Sequence, residues 1–197
     1  MKSTNFILII CFLFGIGCHA VSPTSQVADT MPVVVATVSE TQQETIDAAE
    51  TAKGHGDYDE AMELFKEVLH QNPVATDALV GIGDICLIKK EWDKAEPVFA
   101  RAVKLEPRNF DAQYGHAVSL QMLKKYIDAV RAYHRALTIN PQDVGANTNI
   151  ATTYLQIGRP QSALVFAERA VEIDGSVAPA QITLAATYQL LQRPQDA

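Results

Sequence analysis

The chain is poor in cysteine: three in 197 residues, and Cys11 and Cys18 both fall in its first twenty positions. The remaining body has only Cys86, so it can form no internal disulfide and shows no metal-type Cys spacing. Basic charge is also scarce, with 16 Lys and Arg against 23 Asp and Glu and a formal charge of −7. Nucleic-acid binders present a basic face, and no basic block exists here to make one. No apolar run is long enough to cross a bilayer comfortably; the longest, Phe6 to Gly17, has twelve residues. Nucleotide and hydrolase signatures of the forms G-x-x-x-x-G-K-[ST], G-x-G-x-x-G and G-x-S-x-G are missing, as is H-x-x-x-H. His55, His70, His116 and His134 are scattered at separations unlike a ligand set. His116 shares a column with Ile82, Ile150 and Leu184, which reads as a satisfied core histidine. No catalytic group, cofactor or metal is expected.

What is present divides the chain into three. Residues 1–20 read as a signal peptide, with Lys2 ahead of the twelve-residue apolar stretch. Gly17-Cys18 resembles a bacterial lipobox, in which Cys18 is lipidated, although Gly15 stands where an aliphatic residue is usual. Cleavage after Ala20 at Cys18-His19-Ala20, or retention as an uncleaved anchor, are the alternatives, and all three place the body outside the cytoplasm. A fatty-acid label on Cys18 separates the first from the others. Loss of Lys2 leaves 15 basic against 23 acidic residues, a charge near −8. Residues 21–41 are rich in Ser, Thr and Pro and read as a flexible linker.

From residue 42 a period of 34 governs the sequence. Alanines stand at 61, 95, 129, 163 and 197, and small residues at Ala49, Gly83, Ala117, Ala151 and Ala185. Phe65, Phe99 and Tyr133 form a bulky column that lapses to Ala167. Tyr58, Trp92 and Tyr126 form an aromatic one that gives way to Pro160 and Pro194. Pro73, Pro107 and Pro141 close each unit, and Gly175 takes the fourth place. Proline cannot continue a helix and pushes its predecessor out of helical conformation, so it fixes where each second helix stops. Gly175 is expected to stop its helix as a C-terminal glycine. Two amphipathic segments per unit cannot bury their apolar faces alone, so neighbouring units must stack into a solenoid.

These columns resemble the tetratricopeptide repeat, a 34-residue helix–turn–helix unit. The likeness covers residues 42–197, as units 42–75, 76–109, 110–143, 144–177 and a partial 178–197. The fold class implied is all-α, an α-solenoid. The resemblance further implies a concave groove lined by the first helices that holds a protein or peptide partner. Carried over position by position, its lining is Ile46 and Glu50, then Val80, Asp84 and Leu87. Tyr114, Val118 and Met122 follow, then Thr148, Thr152 and Leu155, and lastly Ile182. Tyr, Val and Met at helical spacing are packing residues by default; the repeat register turns these outward. Only Lys53 is basic in the groove while Asp77, Asp84 and Asp111 face it, unlike members that clamp a C-terminal carboxylate.

The charges repeat as well. Lys89, Lys90, Lys124, Lys125, Arg159 and Arg193 fall at turns, and Asp77, Asp111, Asp143 and Asp174 at unit junctions, as the helix dipole favours. Ala197 belongs inside a second helix, so Leu184, Tyr188 and Leu191 are expected to lack a packing partner unless the chain continues or a second copy covers them. The function implied is a non-catalytic scaffold or adaptor of a bacterial envelope, in pilus, outer-membrane or cell-wall assembly, membrane-attached through any lipid anchor. The alternative is the repeat module of a larger enzyme or sensor whose working domain lies past residue 197.

Overall fold

The computed structural model describes residues 40–192, and the signal-peptide region, Cys18, most of the linker and Ala197 lie outside them. The described residues form nine helices and no strand. They are α1 (Glu40–His55), α2 (Tyr58–Gln71), α3 (Thr76–Ile88), α4 (Trp92–Leu105) and α5 (Phe110–Met122). Then come α6 (Tyr126–Ile139), α7 (Val144–Gln156), α8 (Pro160–Ile173) and α9 (Ala178–Gln192). Helix α1 already includes Glu40 and Thr41, the last two residues expected as linker.

Each unit closes where the prolines require. Helices α2, α4 and α6 end two residues before Pro73, Pro107 and Pro141, and α8 ends two before Gly175. Gly175 fills the proline place without left-handed backbone; among the described residues the left-handed glycines are Gly56 and Gly158. Those two sit in the other turn, between first and second helices, and share their column with Lys90 and Lys124. All four have positive φ, at 89° and 70° for the glycines and 58° and 59° for the lysines. The following amide donates five residues back, from Asp57 to Ala52, Glu91 to Cys86, Lys125 to Leu120 and Arg159 to Tyr154, at 2.8–2.9 Å. This is the Schellman closure, which satisfies carbonyls a helix end leaves open. The two lysines hold a conformation that glycine adopts without cost, because their helices must end there.

Apolar columns set the packing. Phe65, Phe99 and Tyr133 are fully buried on the second helices, as are Ala61, Ala95, Ala129 and Ala163. Tyr58, Trp92, Tyr126 and Pro160 each open a second helix. Large rings on one helix demand small residues on the next. The Phe65 ring lies against Gly81, and the Phe99 ring is held between Gly83 of α3 and Gly115 of α5. Close packing of this kind tolerates no added volume without movement elsewhere.

Each helix packs on its sequence neighbours, and α1, α3, α5, α7 and α9 also touch in succession. Consecutive second helices make no such contact among the described residues. The first helices therefore crowd together on an inner layer while the second ones spread on an outer layer, which is the condition for a curved solenoid with a concave inner face.

Two single residues complete the picture. Cys86 is buried beside Ala95 and Phe99, and burial pushes its thiol up, as expected of a packing cysteine. His116 departs from expectation. Its Nδ1 is buried without a hydrogen-bond partner among the described residues, and its Nε2 lies 3.5 Å from Glu96 Oε1. Its column is apolar in the other units, so the repeat pattern supplies no standing partner for the inner nitrogen.

Candidate functional site

The first helices carry the expected groove residues at helical spacings of three, four, seven and eight. Between α1, α3 and α5 they enclose an open hollow of about 580 Å3. Ile46, Glu50, Val80, Asp84 and Tyr114 line it, together with Lys53, Asp77 and Asp111. Gln43, Asp47 and Asn109 line it too and were not anticipated. Gln43 could have been found, since it shares a 34-residue column with Asp77 and Asp111.

The other expected residues lie outside this hollow. Met122, at the end of α5, and Ile182, on α9, are exposed at 45% and 68%. Leu87, Val118 and Leu155 are half-buried and pack partly against the core. Two positions offer almost no surface to a partner. Ile46 is 4% exposed and Thr148 6%. Ile46 joins the core with Ala49 and Phe65, so it forms the floor of the hollow. The Thr148 hydroxyl donates to the Val144 carbonyl at 2.7 Å and is spent within its own helix.

Charge dominates the hollow. Lys53 Nζ stands 2.7 Å from Glu50 Oε2 and 3.2 Å from Asp84 Oδ2. Burial pulls the Lys53 ammonium down, but Glu50 and Asp84 outweigh it and leave it above the ordinary lysine value. Burial pushes the Asp84 carboxyl up and prevails over its pairing with Lys53. Asp77 is raised as well, first by burial and then by Glu106, Asp111 and Glu50. No group of three His, Cys, Asp or Glu among the described residues is placed to hold a metal ion.

Further along, helices α7 and α9 carry no acidic side chain, although Asp143 just ahead of α7 stands near the Tyr114 hydroxyl. Thr152 donates to the Thr148 carbonyl at 2.9 Å and meets the Thr183 hydroxyl at 3.3 Å. Asn149 Nδ2 donates to the Tyr114 hydroxyl at 2.9 Å, and the Tyr114 ring stacks on Phe110 at 5.8 Å. Tyr114 also meets the edge of Tyr133, whose hydroxyl donates to Gln121 Oε1 at 2.7 Å. Tyr114 is thus a fixed wall between an acidic half and a hydroxyl-rich half.

One model of the tetratricopeptide repeat matches residues 46–112 and 89–144, and a second such model matches 120–186. No curated protein matches the chain. Among solved structures, a crystal structure of MamA protein is similar with a TM-score of 0.69 at 21% identity, over 77% of this chain and 83% of that one. A double mutant of MamA from RS-1 gives 0.71 at 18% identity, over 79% and 88%. YrrB, a repeat protein with an unusual peptide-binding site, gives 0.66 at 21% identity, over 77% and 78%. At such identities the likeness is one of fold.

Proposed function

Because the chain belongs to the tetratricopeptide repeat family, we propose that its concave face docks a segment of another protein and that it works as a non-catalytic scaffold. The observation that carries this reading is the open hollow on the inner face, walled by three successive first helices and left uncovered. The peptide-binding site of the similar YrrB agrees with it. The leader-like Met1 to Ala20, with Cys18 at its end, supports a place in the bacterial envelope and a lipid attachment. Of the α9 residues expected to lack a packing partner, Leu184 packs against Ala151, Ala163 and Ala167 and Leu191 is half-buried, while Tyr188 is exposed; an additional contact between copies through this helix rests on Tyr188 and its exposed neighbour Leu190.

Tyr114 and Met122 test the docking reading. Both stand on the inner face of α5, and aromatic anchors dominate binding at protein interfaces. Tyr114→Ala combined with Met122→Ala is expected to abolish capture of partner proteins from envelope extract while helicity, read by circular dichroism, stays unchanged. Undiminished capture by the folded double variant would move the binding surface off the concave face.

A further inference from the structure

We propose that the segment seated between α1, α3 and α5 is cationic, an extended stretch of a partner protein carrying lysine or arginine side chains. The inference rests on the docking reading above and specifies its ligand. Five carboxylates line the hollow, those of Asp47, Glu50, Asp77, Asp84 and Asp111, against the one ammonium of Lys53.

Helix dipoles account for only part of this charge. Asp77 and Asp111 lie in the first turns of α3 and α5, where a dipole favours acids. Glu50 is the eleventh residue of α1 and Asp84 the ninth of α3, well past that influence. The free protein also holds these groups at a cost. Asp77 is raised by burial and by three neighbouring carboxylates, and Asp84 stays raised even beside Lys53. A cation seated among the five carboxylates of the hollow would offset the burial and mutual repulsion that raise Asp77 and Asp84.

The chain itself shows how a cation is held there. Lys53 lies clasped between Glu50 and Asp84 with its ammonium 6.0 Å from the Phe65 ring centre. An incoming lysine or arginine finds the same chemistry at Asp77 and Asp111, which accept no side-chain ion pair from within the protein among the described residues. Val80 and Tyr114 flank these acids and suit the aliphatic stems of such side chains. A metal ion is a poorer fit, since no three ligands converge on one point. Beyond Tyr114, helices α7 and α9 carry no acidic side chain, and Asp143 just ahead of α7 is the one acid beside Tyr114 on that side, so the cationic part of the partner belongs toward the α1 end.

Three twelve-residue peptides test the inference on the full chain, by fluorescence anisotropy at low and moderate salt: alternating lysine–valine, glutamine–valine and glutamate–valine. The lysine peptide is expected to bind at least about tenfold more tightly than the glutamine one, and the glutamate peptide not at all. Asp77→Asn with Asp111→Asn should weaken the lysine peptide about tenfold and flatten its salt dependence. Glu63→Gln with Glu67→Gln, on the outer helix α2, should leave it unchanged. Thermal melting establishes that each variant is folded, and amide shift mapping locates the bound peptide independently of the variants. Equal affinity for the lysine and glutamine peptides, an equal loss with the outer variant, or no peptide binding at all would overturn the inference. If the glutamine peptide binds as well as the lysine one, and Tyr114→Ala with Met122→Ala removes both, the docking reading stands while the charge inference falls.

Discussion

Gly115→Ala is expected to lower the unfolding free energy by about 2 kcal/mol, the opposite of what helix propensity alone dictates. In an ordinary helix interior, alanine is better than glycine by about 1 kcal/mol. Gly115 lies inside α5, yet a β-carbon there would fall within the van der Waals envelope of the Phe99 ring. The ring has no retreat. A β-carbon on Gly83, across from it on α3, would lie 2.5 Å from Phe99 Cζ, so the ring already fills the space between three helices. Phe99 is itself fully buried and rigid at its ring, so the added methyl must push α4 and α5 apart. Urea unfolding measures the change. In a Phe99→Leu background the same glycine substitution should cost much less, because a smaller, more flexible side chain can yield. A stabilised Gly115→Ala protein would contradict the packing described here.

His116→Leu is expected to raise stability by about 1–2 kcal/mol near neutral pH, since it removes a buried nitrogen that lacks a partner. Leucine also restores the apolar column of Ile82, Ile150 and Leu184. The gain should grow as the solution is acidified. Burial holds His116 below its ordinary value of 6.5, and Arg135 and Lys125 oppose its charge while Glu96 favours it. As pH falls through 6.5, the unfolded chain takes up a proton that the folded one resists, and the natural protein loses stability that the variant keeps. Asp77 and Asp84, whose raised carboxyls act in the opposite sense, are common to both proteins and cancel in the difference. Parallel urea titrations across pH 7.5 to 5.5, a range of about one unit on either side, therefore isolate His116. A gap that narrows on acidification would show that its environment has been misjudged.

Much of the fold was legible because repetition multiplies weak signals. One proline says little, but Pro73, Pro107 and Pro141 at equal spacing fix three helix ends, and α2, α4 and α6 end two residues before them. The small column of Ala49, Gly83, Ala117, Ala151 and Ala185 announced close helix approach; the first four are buried, and Ala185 on α9 is exposed. What escaped the sequence depends on curvature and on hydrogen bonds between units. Ile46 and Thr148 share the register of exposed groove residues, yet both are buried. Lys90 and Lys124 gave no hint of left-handed backbone, because the glycines at 56 and 158 show the preference only in the turns they occupy. Whether His116 found a partner for Nδ1 depended on atoms that no period encodes. Gln43 was missed for a simpler reason: its column with Asp77 and Asp111 changes from neutral to acidic and is hard to see in one residue type.

The central claim, that the inner face receives the partner, is tested most directly by site-specific photocrosslinking. Four of the exposed apolar positions differ in layer: Met122 and Ile182 stand on first helices, Ile127 and Val165 on second ones. A photoreactive amino acid is placed at each in turn, in the full chain in its own cells, and covalent partner adducts are counted. Exposure is matched, so layer is the variable. Adducts from Met122 and Ile182, with none above background from Ile127 and Val165, are the result expected. Adducts chiefly from Ile127 and Val165 would place the partner on the convex side and contradict the account.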